Sequence, residues 1–201
     1  MKKYSLFILF QTIAAFSFAQ NGMVDVFSQS YAFENNNQYA KAITTLEAVY
    51  VNSSYPLNLR MGWLHYLKGE HVVAQSFYKK AIALQTKSIE ARLGYVYPTS
   101  AMENWNDVVS MYKEVLEIDV NNSLVNYRLA SIYFYRKNYE TAKIFAQKVT
   151  VLYPFDFDTN YLMAQIELGM GNIMEAKAAL VICLQYNPLS IEAKTMWEKL
   201  K

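Results

Sequence analysis

The chain has 201 residues, of which 19 are lysine or arginine and 17 are aspartate or glutamate. This nearly balanced charge offers no basic stripe of the kind that nucleic acid binding usually needs, so nucleic acid is not an expected partner. The single cysteine, Cys183, excludes a disulfide within the chain and is expected to be a packed thiol.

The first 19 residues are typical of a secretory signal peptide. Lys2 and Lys3 form a charged start, Leu6–Phe10 and Ile13–Phe16 an apolar centre, and Ser17–Ala19 a cleavage site with small residues. The alternative is a membrane anchor, which needs about 20 apolar residues, whereas this apolar run is short and interrupted. We therefore expect export and a periplasmic or secreted location, with 17 basic and 17 acidic residues left once Lys2 and Lys3 are removed.

One pattern recurs along the rest of the chain. Its most regular member is a small residue at Ala42, Ala74, Val108, Ala142 and Ala176, with one step of 32 residues followed by steps of 34. A fixed period of this size predicts stacked helical repeats, in which each helix pair buries its apolar face against its neighbours.

Three further positions follow the pattern. They are a small residue in the first helix (Ser30, Gly62, Gly94, Ala130, Ala164), a bulky residue at the turn (Tyr39, His71, Trp105, Tyr139, Ile173), and a small residue late in the second helix (Val49, Ala81, Val115, Val149, Cys183). Small residues let two antiparallel helices cross closely. From Met23 to Ser190 the pattern resembles the tetratricopeptide repeat (TPR) family. The resemblance implies an all-α fold: a right-handed superhelical solenoid of about five TPR helix-turn-helix repeats plus a C-terminal capping helix.

The predicted organisation is a signal peptide over 1–19 and a TPR domain over 20–201. The repeats are expected at about 23–54, 55–88, 89–122, 123–156 and 157–190, with the capping helix at 191–201. Asn52–Pro56 is expected to account for the 32-residue step. Pro154 and Pro188 are expected to follow the ends of second helices, because proline cannot continue a helix.

Repeat three departs from the pattern. Leu93, Gly94 and Tyr97 match the first helix of the family, but Pro98 is expected to end that helix early, and the match then needs about two extra residues. We therefore expect a longer loop around 98–104. Such a loop is either a tolerated insertion or a marker of function.

Candidate residues for catalysis or metal binding are few. His65 and His71 occupy aromatic positions of the repeat, which favours packing over a metal site. Gly169–Asn172 is expected to be a turn between helices, and Asp156 and Asp158 are expected to cap a helix rather than act as paired acids. The sequence thus predicts no enzyme activity, no catalytic residues, no metal and no cofactor.

The resemblance implies that the first helices line a concave groove for an extended or helical segment of a partner. The residues at the corresponding positions are Phe27 and Tyr31, then Leu59, Trp63 and Tyr66, then Tyr95, then Tyr127, Phe134 and Tyr135, then Tyr161 and Gln165. Tyrosine and tryptophan are favoured binding anchors. The alternative is that these rings are buried against one another, and the sequence does not decide between the two.

Three arginines, Arg60, Arg92 and Arg128, are expected at one place in successive first helices, beside the groove. Aligned guanidinium groups could grip a carboxylate or an acidic peptide. In chaperone-binding TPR proteins, a set of lysines and asparagines clamps the terminal carboxylate of a peptide, and this sequence does not match that set. The alternative is that each arginine is solvated or pairs with a neighbouring acid such as Glu90.

The resulting hypothesis is a non-catalytic protein-protein interaction scaffold or adaptor in the bacterial cell envelope. Its expected partner is another protein or peptide segment, and no integral membrane span is expected after signal removal. The alternatives are a self-associating structural module, with homo-oligomers possible, and a carrier that binds a small ligand or glycan on its groove tyrosines.

Overall fold

The computed structural model describes residues 22–200, and this part of the chain is all-α, without strands. Its helices are α1 (residues 22–35), α2 (Tyr39–Glu47), α3 (Tyr55–Leu67), α4 (His71–Leu84), α5 (Ile89–Ala101), α6 (Trp105–Ile118), α7 (Ser123–Tyr135), α8 (Tyr139–Leu152), α9 (Phe157–Gly169), α10 (Ile173–Tyr186) and α11 (Ile191–Lys199). The all-α repeat fold predicted from the sequence is confirmed. The predicted signal peptide lies outside the described residues.

The 34-residue period of the sequence is also the period of the helices. α3, α5, α7 and α9 begin 34 residues apart, and so do α4, α6, α8 and α10. The single 32-residue step has a different origin from the one expected at Asn52–Pro56. α2 has 9 residues where α4 has 14, and the connection over 48–54 is longer than the one over 85–88. Pro56 stands in the first turn of α3, where its missing N–H costs no helical hydrogen bond.

A side chain caps the start of α3, α5, α7, α9 and α11. The capping oxygens belong to Ser54, Ser88, Asn122, Asp156 and Ser190, and each accepts from the backbone N–H three residues later. These bonds satisfy N–H groups that have no partner within the helix. The predicted cap at Asp156 is confirmed, and Asp158 lies in the first turn of α9, where a negative charge is favoured.

Each turn inside a helix pair contains one residue with a left-handed backbone. These residues are Asn37 (φ 57°), Gly69 (φ 85°), Glu103 (φ 58°), Lys137 (φ 58°) and Gly171 (φ 83°). Glycine adopts this conformation freely, whereas a side chain with a Cβ is strained there. The predicted turn at Gly169–Asn172 is confirmed, since α9 ends at Gly169 and α10 begins at Ile173.

Buried asparagines form hydrogen bonds with the connections between successive helix pairs. The side-chain amides of Asn58, Asn126 and Asn160 each donate to the carbonyls four and six residues earlier, at distances of 2.7–3.1 Å. All three are the fourth residue of their helix. In α5 this place belongs to Arg92, whose Nη1 donates to the Ser88 carbonyl at 3.0 Å. The asparagines were not recognised in the sequence, although their 34-residue spacing was visible.

The expected loop at 98–104 is wrong. α5 continues through Pro98 to Ala101, and its turn to α6 is the same length as the turns of the other pairs. Pro98 forfeits one backbone hydrogen bond, but Val96, Pro98 and Thr99 are all buried, and the Met102 N–H bonds the Pro98 carbonyl at 3.2 Å. Burial of this face therefore outweighs the local preference of proline.

The chain forms two compact units, unit 1 up to Met111 and unit 2 from Tyr112. The core of unit 1 contains Ala42, Ile43, Leu46, Leu57, Met61 and Leu64. Unit 2 has one cluster around Ala130, Ala142, Ala146, Leu162 and Ile166, and another around Ala164, Ala179, Leu180, Cys183 and Ala193. Met196, Trp197 and Leu200 pack on the second cluster, as expected of a capping helix. Within residues 22–200, no helix combines the length and apolar character needed to cross a membrane.

Candidate functional site

In unit 1, α1, α3, α4 and α5 surround an open cavity of about 810 Å³. Its aromatic walls are Phe27, Tyr31, Tyr55, Trp63 and Tyr97, and Tyr78 also lines it. Tyr31 and Tyr97 are each 51% exposed, whereas Tyr78 is 3% exposed. The cavity thus has accessible aromatic walls over a buried tyrosine.

The helical register places the wall residues on one face. Trp63 and Tyr97 are the ninth residues of α3 and α5, 34 positions apart, and Tyr31 precedes Trp63 by 32. Trp63 lies 5.8 Å from Tyr97 between ring centroids, at an interplanar angle of 74°. Tyr66 completes the cluster, 5.5 Å from Trp63 and 5.6 Å from Tyr97.

Arg60 lies behind this wall and is already partnered. It is only 5% exposed, and its guanidinium forms an ion pair with Glu34. The guanidinium carbon lies 3.6 Å from the centroid of the Tyr31 ring, and Nη2 is 3.4 Å from the Ser30 hydroxyl. Trp63 Nε1 donates to the second Glu34 oxygen at 2.6 Å. The Arg60 charge is therefore compensated within the protein by Glu34.

Two glycines make room for Tyr78. A Cβ on Gly94 would lie 2.2 Å from Tyr78 Cε1, and a Cβ on Gly62 would lie 3.0 Å from the same ring. The ring is thus held between α3 and α5. Burial, followed by the nearby Tyr97, Tyr66 and Glu90, raises the pKa of Tyr78 well above the usual value, so this hydroxyl stays protonated at neutral pH.

Glu90 lies at the edge of the cavity, in the first turn of α5. Its carboxylate accepts a hydrogen bond from the Tyr55 hydroxyl at 3.1 Å, and Tyr55 also contacts the Ser88 hydroxyl at 2.6 Å. Burial raises the pKa of Tyr55, the Ser88 hydrogen bond opposes that shift, and Glu90 adds to it. Glu90 itself is exposed.

Repeat three was predicted in the wrong register. The residue equivalent to Gly62 is Val96, not Gly94, because α3 and α5 begin 34 residues apart. The α5 tyrosine that lines the cavity is therefore Tyr97, while the predicted Tyr95 is buried, with 5% exposed. Arg92 likewise does not share the place of Arg60 and Arg128, since it occupies the buried asparagine position and is 8% exposed. The spacing from Trp63 to Tyr97 was the signal that could have corrected this.

The predicted residues of unit 2 fall into different surroundings. Tyr127 lines a smaller pocket of about 340 Å³ with Leu124, Tyr153, Asp156 and Asp158. Burial and then Asp158 raise the pKa of Tyr127, against the effect of the Ser131 hydrogen bond and of Arg128. Arg128 itself is exposed.

Of the other predicted aromatic residues in unit 2, two pack on neighbouring rings and one is exposed. Phe134 packs on Tyr139 with a centroid distance of 5.9 Å, and Tyr161 stacks on Phe157 at 6.0 Å. Tyr135 is 81% exposed. The structure therefore brings together the predicted residues Arg60, Trp63 and Tyr66 in unit 1, but not Tyr95 or Arg92.

The histidines have packing partners. His65 stacks on Phe77, with centroids 5.2 Å apart and rings inclined by 14°, and its Nδ1 lies 2.5 Å from Glu70. His71 lies 5.8 Å from the Tyr66 ring. Over residues 22–200, no three His, Cys, Asp or Glu side chains gather in a way that could hold a metal ion.

The helix pairs, their 34-residue period and the left-handed residue in each turn define an all-α helical repeat protein. Residues 125–155 match the family model of the tetratricopeptide repeat, which confirms the predicted TPR resemblance.

Solved structures share this fold at low sequence identity. A tetratricopeptide repeat protein from Parabacteroides merdae ATCC 43184 is 17% identical, with a TM-score of 0.75 over 90% of this chain and 72% of that one. YrrB, described as a TPR protein with an unusual peptide-binding site, is 12% identical, with a TM-score of 0.68 over 86% of this chain and 90% of its own. MamA from Desulfovibrio magneticus RS-1 is 16% identical, with a TM-score of 0.66 over 73% of this chain and 82% of its own. No curated protein sequence matches this chain.

Proposed function

We propose that this protein is a non-catalytic scaffold that binds a segment of another protein, and that the unit 1 cavity is its binding site. The observation that carries the proposal is the exposure of the cavity walls. Tyr31 and Tyr97 leave about half of their surface accessible, beside Trp63, in a concave site. Aromatic residues in such a site are typical anchors for a partner.

The fold supports this assignment at a general level. TPR proteins are generally non-catalytic scaffolds, and their fold typically binds protein or peptide partners. YrrB, which shares the fold, has a peptide-binding site of its own. A role in the bacterial cell envelope rests on the signal peptide predicted over 1–19. Fractionation of the native bacterium, with an antibody against the chain, tests this part: recovery in the cytosolic fraction alone would contradict it.

A small-ligand carrier is the second candidate, and the cavity volume favours it. Pockets for small molecules commonly measure roughly 300–1,000 Å³, and the cavity of about 810 Å³ lies within this range. A glycan or a metabolite could stack on Tyr31 and Tyr97. Thermal stabilisation by a member of a glycan and metabolite panel, lost on Tyr97→Ala, would support this candidate over a protein segment.

The decisive experiment is in-cell crosslinking and pull-down with mass spectrometry. The double variant Tyr31→Ala, Tyr97→Ala removes two half-exposed rings from the cavity, and Tyr186→Ala is the control because Tyr186 is 57% exposed, lies in unit 2 and is not among the predicted groove residues. We expect one partner that is captured by the wild type and by the control and is lost from the double variant. Circular dichroism checks that all three remain helical. Capture of the same partners by the double variant would overturn the assignment of the site.

A further inference from the structure

We infer that the unit 1 cavity selects a cationic side chain, lysine or arginine, of an extended partner segment. The inference rests on the proposed function, since it names the chemistry of the segment bound there. It reverses the sequence-based hypothesis that arginines grip an acidic peptide.

The ionised groups of the cavity leave a net negative charge. The charged lining residues are Glu34, Arg60 and Glu90. Arg60 and Glu34 neutralise each other in an ion pair whose side chains are 5% and 18% exposed. Glu90 is exposed and, among residues 22–200, belongs to no ion pair. The accessible charge is therefore one carboxylate.

The aromatic walls favour the same ligand charge. The face of a tyrosine or tryptophan ring is electronegative and attracts a cation within about 6 Å. Trp63 and Tyr97 line the cavity with their ring centroids 5.8 Å apart, and Tyr97 is half-exposed. Tyr66 packs on both rings, at 5.5 and 5.6 Å. A lysine or arginine side chain entering the cavity would meet the Trp63 and Tyr97 rings and the Glu90 carboxylate, all of which line it. An acidic side chain would instead meet a carboxylate and electronegative ring faces.

The cationic group of the lining, Arg60, does not offset this preference. Arg60 Nε has no hydrogen-bond partner among the described residues, but this atom is inaccessible to solvent. The guanidinium is covered by the Tyr31 ring at 3.6 Å. An acidic ligand would have to displace Tyr31 or break the Glu34 ion pair to reach it.

The test is a selection of random dodecapeptides on the purified chain, followed by affinity measurements on the selected peptides. Glu90→Gln removes the charge and keeps an acceptor for Tyr55, and Glu90→Lys reverses the charge. The control is Glu140→Lys, because Glu140 is also the exposed second residue of its helix, α8, but lies in unit 2. Circular dichroism verifies the fold of each variant.

We expect the wild type and the Glu140→Lys control to enrich lysine or arginine at one peptide position. Replacing that residue by glutamine should weaken binding about tenfold, the size of a partly desolvated cation–π contact, and Glu90→Lys should remove the enrichment. Peptides whose binding is lost on Tyr97→Ala but which show no basic preference, or an enrichment that survives Glu90→Lys, would overturn the inference and leave the proposed function standing. Selection of no peptide by any variant would overturn both.

Discussion

The packing of Tyr78 between two glycines makes Gly94→Ala the most informative substitution in unit 1. Non-bonded carbon atoms normally approach to about 3.5–4.0 Å, whereas the new Cβ would lie 2.2 Å from Tyr78 Cε1. The ring has little freedom to move away from Gly94, because Gly62 lies on its other side: a Cβ on Gly62 would be only 3.0 Å from the ring atoms. Tyr78 is also only 3% exposed, so neighbouring atoms enclose most of its ring, although one side of it lines the open cavity.

The expected net cost is about 2 kcal/mol in the free energy of unfolding. Overpacking of a dense core typically costs about 1–3 kcal/mol, and the rigid surroundings of Tyr78 place this site near the upper end. Alanine is favoured over glycine inside a helix by about 1 kcal/mol, which offsets part of the loss. Urea unfolding followed by circular dichroism at 222 nm measures the difference.

A double-mutant cycle separates this clash from other effects of the substitution. In a Tyr78→Ala background the ring is absent, and Ala146 already occupies the same place in α8. Gly94→Ala should then stabilise by about 1 kcal/mol through helix propensity instead of destabilising. An equal loss of stability in both backgrounds would refute the argument that Tyr78 is the cause.

Three further predictions concern unit 2. Lys137→Gly should raise the free energy of unfolding by about 0.5 kcal/mol, because the left-handed strain at φ 58° outweighs the added entropy of glycine. Gly171→Ala should lower it by about 1 kcal/mol in the same urea assay. A loss of stability in Lys137→Gly or a gain in Gly171→Ala would contradict the strain argument. Asn126→Ala should cost about 1–2 kcal/mol, because the buried Asn126 amide loses its two hydrogen bonds to the Val120 and Asn122 carbonyls, whereas the exposed Asn121→Ala should be neutral by thermal unfolding. Burial raises the pKa of Cys183 to about 11, so the thiol stays protonated below that pH. It should resist a disulfide reagent at pH 8 until urea is added, and a native reaction rate equal to the unfolded one would contradict the burial argument.

The aromatic residues of unit 1 show how far the repeat period locates a residue. Trp63, a predicted groove residue, lines the cavity, and Tyr66, also predicted there, packs on Trp63 without lining the cavity. The repeat pattern does not identify Tyr97, because Gly94 resembles the helix-crossing residue of repeat three. Gly94 is small for a different reason, since it accommodates the ring of Tyr78 from α4. A small residue by itself does not reveal which neighbour requires it.

The helical repeats and their 34-residue period could be predicted from the sequence, whereas the end of α5 could not. These features depend on interactions between residues close in the chain: caps such as Asp156 act three residues away, and the left-handed turn residues act within one turn. Tertiary contacts were needed to establish that Glu34 neutralises Arg60, that α5 continues through Pro98, and that Glu90 is the accessible charge of the cavity. Each of these depends on contacts between different helices, where burial and ion pairing outweigh the local preference of a residue.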